Sequence, residues 1–68
     1  MEREYSLIYV FGLKYPLTAD LMRETLENFG FNVRVNTTEL GHQVSILTCQ
    51  LDNFRLVRRA YPQRFRNE

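Results

Sequence analysis

Residues 5–13 read Tyr5-Ser6-Leu7-Ile8-Tyr9-Val10-Phe11-Gly12-Leu13 and form the longest apolar run of the chain, without a charged residue. β-Branched and aromatic side chains dominate this run, and such residues fit the pleated surface of a sheet. The pattern therefore predicts a β-strand. Because side chains alternate between faces along a strand, one face would carry Tyr5, Leu7, Tyr9 and Phe11, and the other Ser6, Ile8 and Val10. Both faces are apolar, which is typical of a strand covered on both sides.

The length of the chain limits what it can bury. Its 68 residues predict one small domain, 1–68, and a domain of this size buries about 60% of its unfolded surface. Small domains often depend on disulfides, metals or partners. A single cysteine, Cys49, excludes an internal disulfide, and Cys49 with His42 falls short of a four-ligand zinc site. We therefore expect no cofactor or metal, and a homodimer.

The charge is balanced, with nine basic and eight acidic residues and a net charge of +1. This balance argues against nonspecific coating of nucleic acid. No apolar run reaches the ~20 residues of a membrane span, and residues 1–4 lack the basic start of a signal peptide. An unpaired cysteine without an export signal favours a reducing compartment. We expect a cytoplasmic protein that does not bind membranes.

The rest of the chain predicts two helices and two further strands. A helix over about 18–29 has Thr18 as its N-cap and Gly30 as a left-handed C-terminal cap. Residues 31–36 alternate apolar and polar, and 43–49 form a third strand after a turn at 39–41. A second helix opens at 51–53 and ends near Tyr61, because Pro62 cannot continue it.

The order β-α-β-β-α predicts an α+β fold. A helical crossover makes the first two strands parallel, and the third strand fits between them in the order 1-3-2, with both helices on one face. This is the split β-α-β plan of ferredoxin-like domains, with the tail at 63–66 as a candidate short fourth strand. The predicted core consists of Ile8, Val10, Leu21, Leu26, Phe29, Val33, Val44, Ile46, Phe54 and Val57.

The first strand also carries a short motif. Ile8-Tyr9-Val10-Phe11-Gly12-Leu13 resembles the first-strand motif of RNA-recognition domains, aliphatic-aromatic-aliphatic-x-x-Leu. The resemblance covers six residues and implies that the aromatic stacks on a base from the open sheet face. The family's second motif should lie on the third strand, where residues 40–47 lack the required aromatics. The alternative, which this departure favours, is that Tyr9 and Phe11 are packing residues.

Five arginines lie within the last fourteen residues of the chain, namely Arg55, Arg58, Arg59, Arg64 and Arg66. The first three have i, i+3, i+4 spacing and share one helix face. With Tyr61 and Phe65 between them, they could hold phosphates and stack bases, or meet an acidic protein surface. The simplest alternative is a solvated face whose arginines complement the helix dipole.

The sequence offers little for catalysis. His42 falls in the predicted hairpin turn with no serine or cysteine placed beside it, and Cys49 fits a small apolar core residue. Glu24 and Glu27 fit a charged outer helix face better than a pair of acid–base carboxylates. The three glycines are isolated, so no phosphate-binding loop is present. We therefore expect a protein that is not an enzyme.

Three hypotheses for function follow. The favoured one is a dimeric protein-interaction module, an accessory or inhibitory regulator of a larger macromolecular partner. Its dimer face would be Tyr5, Leu7, Tyr9 and Phe11 on the predicted edge strand, because a long uncharged edge is a template for further pairing. The alternative is an RNA- or DNA-binding domain that uses the aromatic sheet face and the arginines. A third hypothesis is a ligand-sensing domain, like amino-acid-binding regulatory domains of similar topology.

Overall fold

A computed structural model describes residues 3–65 of the chain. Its elements are β1 (Tyr5–Phe11), α1 (Pro16–Asn28), β2 (Val33–Thr38), β3 (Gly41–Leu47), a 3₁₀ turn (Thr48–Gln50), α2 (Leu51–Ala60) and a final 3₁₀ turn (Pro62–Arg64). The predicted α+β class and the order of the elements are confirmed. The second and third strands begin two residues away from their predicted starts.

The three strands form one antiparallel sheet in the order β1-β3-β2. The hairpin strand β3 therefore lies in the middle, as expected, and β1 occupies an edge. The predicted fourth strand is not observed over the described part of 63–66, where the chain forms the final 3₁₀ turn. Arg66 itself lies outside the described residues.

The main correction to the sequence-based prediction concerns the faces of β1. Leu7 pairs with Ser45 and Tyr9 with Val44, so Ile8 is an extra residue in a β-bulge. One extra residue moves every later side chain of a strand to the opposite face. Tyr9 and Phe11 are consequently buried, with 4% and 5% exposure, whereas Val10, predicted to be buried, is 43% exposed. The prediction that Tyr9 and Phe11 line the open face is wrong.

Helix α1 begins earlier than its sequence suggested and ends as predicted. It starts at Pro16, which suits the first helical position because its fixed φ is already helical, so Thr18 is not the N-cap. At the other end Gly30 has φ +93°. Its N–H donates to the Glu27 carbonyl and the Phe31 N–H to the Leu26 carbonyl, the two bonds of a Schellman cap.

Both helices pack into one core cluster with the sheet face that carries Tyr9, Val44 and Ile46. Four predicted core residues are fully buried: Leu26, Val44, Ile46 and Phe54. Ile8, Phe29, Val33 and Val57 are partly buried against this cluster. Leu21 is 63% exposed, because the inner face of α1 is centred on Ala19, Met22 and Leu26 and excludes its neighbour Leu21.

The end of the chain contributes to the core through an aromatic residue. Phe65 is buried, and its ring lies 5.4 Å from that of Phe29 and 5.8 Å from that of Phe54. The Tyr9 hydroxyl donates a hydrogen bond to the Phe65 carbonyl at 3.0 Å. These contacts fix the polypeptide after α2 against the helix layer, and they explain why it does not pair with β1.

The β2–β3 turn sits close against the end of β1. Gly41 has φ +134°, and a Cβ atom there would lie 2.3 Å from the Phe11 carbonyl oxygen. His42 reinforces this junction: its Nε2 donates to the Leu13 carbonyl at 3.3 Å, and its Nδ1 then accepts from the Thr37 hydroxyl at 2.8 Å. The imidazole therefore joins the hairpin to the segment that follows β1.

Candidate functional site

The arginine cluster is divided between two neighbouring surfaces. Arg55, Arg58 and Arg59 are exposed on α2 and line a groove of about 410 Å³, together with Pro62 and Phe65. We call this the arginine groove. Arg64 is also exposed, but it lines a separate cavity of about 500 Å³ with residues 60–63. The predicted cluster is therefore brought together in part.

The walls of the arginine groove are held from inside the protein. Pro62 begins the turn after α2. Phe65 forms part of the groove wall, and packing against Phe29 and Phe54 holds its ring in place. The sequence predicts a short fourth strand over 63–66 and does not predict this wall. The aromatic residue three positions after Pro62 was the available signal.

The guanidinium groups of the groove have different surroundings. Arg55 forms a 3.1 Å ion pair with Asp52, an exposed contact of small energetic value. Arg58 lies 5.4 Å from the centre of the Phe54 ring, a cation–π geometry. Within residues 3–65, neither Arg58 nor Arg59 has a carboxylate within ion-pair distance. The groove therefore presents two cationic groups that can accept an anionic partner.

Burial and positive charge have opposite effects on the pKa of Tyr9, whose hydroxyl bonds to the groove residue Phe65. Burial raises the pKa of its hydroxyl, and the nearby Arg58 guanidinium offsets part of that rise. Tyr9 therefore stays protonated and donates to the Phe65 carbonyl. Its role is structural, since it holds the residue that closes the groove.

The outer face of α1 carries the opposite charge. Asp20, Glu24 and Glu27 are exposed, and Arg23 bonds to the first and last of them at 2.7 Å. The hydrogen bonds that Arg23 donates to the Asp20 carboxylate raise the pKa of Arg23. Three carboxylates against one guanidinium leave this face acidic. The prediction of a charged outer face at Glu24 and Glu27 is confirmed.

The second predicted site was the open sheet face, which the structure builds from different residues. Cross-strand neighbours share a face, so Leu7 lies beside Ser45 and Val10 beside Gln43 on this face. Arg34 and Asn36 of β2 flank the same two residues of β3 from the other side. Leu7 is 51% exposed. The ring of the half-buried Tyr5 is covered by the Arg34 guanidinium, 4.1 Å from its centre. Tyr5 and Leu7 therefore remain at this face, while Tyr9 and Phe11 do not.

A further cavity of about 650 Å³ lies where β3 leaves the sheet, lined by residues that include Leu47 and Cys49. Cys49 is exposed, so its prediction as a core residue is wrong: it falls in the 3₁₀ turn rather than on β3. No group of three or more metal-binding side chains occurs within 3–65. No helix in this range is both long and apolar enough to cross a bilayer.

Comparison of the chain with models of protein families, with curated proteins and with solved structures finds no match.

Proposed function

We propose that this chain is a non-enzymatic, cytoplasmic protein-interaction module that binds an acidic surface of a larger macromolecular partner through the arginine groove. Binding there would make it an accessory or inhibitory regulator of that partner. The observation that carries the proposal is the grouping of Arg55, Arg58 and Arg59 around one groove.

Three features suit the arginine groove to an acidic protein surface. Guanidinium groups bind carboxylates with two parallel hydrogen bonds, which gives direction as well as affinity. The packed wall of Pro62 and Phe65 limits reorganisation on binding, which lowers its entropic cost. Opposite charges across an interface also accelerate encounter and exclude partners of the wrong sign.

The aromatic side chains favour a protein partner over a nucleic acid. Tyr9 and Phe11, the aromatics that resemble those of RNA-recognition domains, are at most 5% exposed and have no face free to stack on a base. Phe65 is equally buried. Single-stranded nucleic acid binding relies on exposed stacking platforms beside the cationic groups, and the arginine groove has no such platform among the lining residues that fall within 3–65. The nucleic-acid alternative is left with the positive charge and with Tyr61, which is 52% exposed but lines the neighbouring cavity of Arg64 and not the arginine groove.

Two finer features belong to the same proposal. The order β1-β3-β2 and the succession β-α-β-β-α support the ferredoxin-like split β-α-β plan. A homodimer is also proposed, because the domain is small and exposes ten large apolar side chains among its described residues, with Leu40 at 82% and Leu17 at 77% the most accessible.

The test is capture of binding proteins from the native host by wild-type protein and by an Arg58→Glu, Arg59→Glu variant. Because the arginines would face carboxylates, reversal should weaken binding to each captured acidic protein by at least about thirtyfold, roughly 2 kcal/mol. The matched control is Arg3→Glu with Lys14→Glu, which changes net charge equally on exposed residues outside the groove.

A partner retained equally by the groove variant and the control would overturn the proposal. Titration with single-stranded RNA and with duplex DNA tests the alternative function. Tight binding that falls steeply as salt rises, and that is lost in the groove variant alone, would assign the groove to nucleic acid.

A further inference from the structure

The two helices present outward faces of opposite charge at matching spacing. On α1, Asp20, Arg23, Glu24 and Glu27 follow i, i+3, i+4, i+7 and share one face. On α2, Arg55, Arg58 and Arg59 follow i, i+3, i+4, with Asp52 as the single acid of that helix. Each helix packs its apolar residues into the same core cluster. The acidic residues of α1 and the arginines of α2 are exposed on this one helix layer.

Each charged face is flanked by exposed leucine. Leu17 and Leu21 border the acidic face of α1, with exposures of 77% and 63%, and Leu56 borders the basic face of α2, with 60%. On a helix, residues adjacent to a charged stripe would form the rim of a contact centred on it. The helix layer thus combines complementary charges with apolar surface that is exposed in the described part of the chain.

We infer that the helix layer is a self-complementary dimer interface, in which the acidic face of α1 from one copy occupies the arginine groove of the other. A two-fold axis makes the contact reciprocal, so α2 of the first copy meets α1 of the second. The inference rests on the proposed function. The arginine groove would hold α1 of a second copy when no acidic surface of another protein is bound there.

The charge pattern favours a second copy here over pairing at the β1 edge. The residues of β1 from Tyr5 to Phe11 are uncharged, so they supply no complementarity, and the bulge at Ile8 distorts the strand. Bulges are a common means of preventing edge-to-edge pairing. The helix layer, in contrast, carries both halves of an ionic contact on one chain.

A charge-exchange experiment tests the interface. One variant carries Arg58→Glu with Arg59→Glu, and the other Glu24→Arg with Glu27→Arg. Each variant alone would juxtapose like charges, so we expect each to sediment as a single chain with a dimer dissociation constant raised at least about tenfold. Mixed in equal amounts, the two variants should form a heterodimer, because both reciprocal contacts regain opposite charges.

Control variants separate this interface from a general effect of charge. Arg3→Glu with Lys14→Glu, and Glu4→Lys with Glu39→Lys, reverse equal numbers of charges outside the helix faces, and both should stay dimeric. Circular dichroism of every variant checks that the fold is intact. Wild-type dimer should dissociate as salt is raised, since exposed charges are screened within about 10 Å at 0.1 M.

Three results would overturn the inference. They are a wild-type monomer at all concentrations, dimers in both charge variants, and a mixture of the variants that stays monomeric. Dimers in both variants that are lost with Leu7→Lys would assign the interface to the sheet. Failure here leaves the proposed function standing if the Glu24→Arg, Glu27→Arg variant still binds the acidic partner and the groove variant does not.

Discussion

The two halves of β1 have similar composition but opposite environments. In the first half, Tyr5 is half-buried beneath Arg34 and Leu7 is exposed on the open face. In the second half, Tyr9 and Phe11 are among the most buried residues of the described chain, and their rings stack 5.7 Å apart. A single extra residue, Ile8, separates the halves. It places tyrosines of the same strand on opposite faces.

This difference shows that the local sequence pattern of a strand does not determine which of its faces is buried. A strict alternation through residues 5–11 keeps Tyr5, Leu7, Tyr9 and Phe11 on one face. The bulge gives both apolar faces of the strand a use, because Tyr9 and Phe11 fill the core while Leu7 and Val10 remain on the open face. It also resolves the conflict of a strand that is apolar on both sides in a chain too short to cover both.

The largest expected effect is the difference in the free energy of unfolding between a variant that lacks Val10 and a variant that lacks Ile8. Without Val10, Phe11 is shifted toward the open face, so we expect a loss of about 3–5 kcal/mol, a large share of the about 5–15 kcal/mol of a typical domain. Without Ile8, Leu7 and Tyr9 keep their partners in a regular ladder, and the loss should be about 1–2 kcal/mol. Urea denaturation measures both. Equal losses would show that the bulge does not set the faces.

The next effect is the difference in stability between Phe11→Ala and Leu7→Ala, one substitution in each half of β1. Phe11→Ala should lower the free energy of unfolding by about 3–5 kcal/mol, because it empties a buried aromatic site. Leu7→Ala should change it by no more than about 0.5 kcal/mol, as is usual for exposed positions. Guanidinium denaturation of both variants provides the comparison. A larger effect at Leu7 than at Phe11 would reverse the assignment of the faces.

The smallest effect concerns the two tyrosine hydroxyls. Tyr9→Phe removes the hydrogen bond to the Phe65 carbonyl and should cost about 1 kcal/mol. Tyr5→Phe retains the ring that Arg34 covers and should be close to neutral. Thermal unfolding at neutral pH compares the two variants, and a Tyr5 effect larger than that of Tyr9 would contradict the structure.

Tyr9 also makes the stability of the fold depend on pH. Burial raises the pKa of Tyr9 above its ordinary value of 10.0, so the folded state holds this proton more tightly than the unfolded state. The resulting stability is fully present below pH 10 and is lost as pH rises through the folded-state pKa. In Tyr9→Phe the stability should fall less steeply at alkaline pH than in the wild type.

Much of the fold could be predicted because local signals act over a few residues. Gly30 has no Cβ to oppose a left-handed conformation, Pro62 ends α2 within two residues, and the alternation after residue 30 fits β2. The start of α1 was predicted two residues late, with Thr18 as the N-cap, although proline at position 16 suits the first helical position. Leu21 was misplaced because Ala19, which is 2% exposed, is too small to mark an inner face by hydrophobicity alone.

The shared helix face of three arginines could be predicted from the sequence, but the shape of the groove that they line could not. Spacing alone placed Arg55, Arg58 and Arg59 on one side of a helix. It could not show that Phe65 closes a groove beside them, because that depends on a contact between residues 9 and 65. Nor could it show that Arg64 faces a different cavity, since the direction of the chain changes in the turn at Pro62.

The sequence by itself determined the α+β class, the order of the elements, the C-terminal ends of the helices and the opposite charges of the helix faces. These follow from backbone preferences and from spacing along single elements. Tertiary structure alone decided which face of β1 is buried and where the chain after α2 goes. Both outcomes depend on contacts between distant residues: the ladder with β3 accommodates Ile8 as a bulge, and the Tyr9 hydroxyl holds Phe65 in the core.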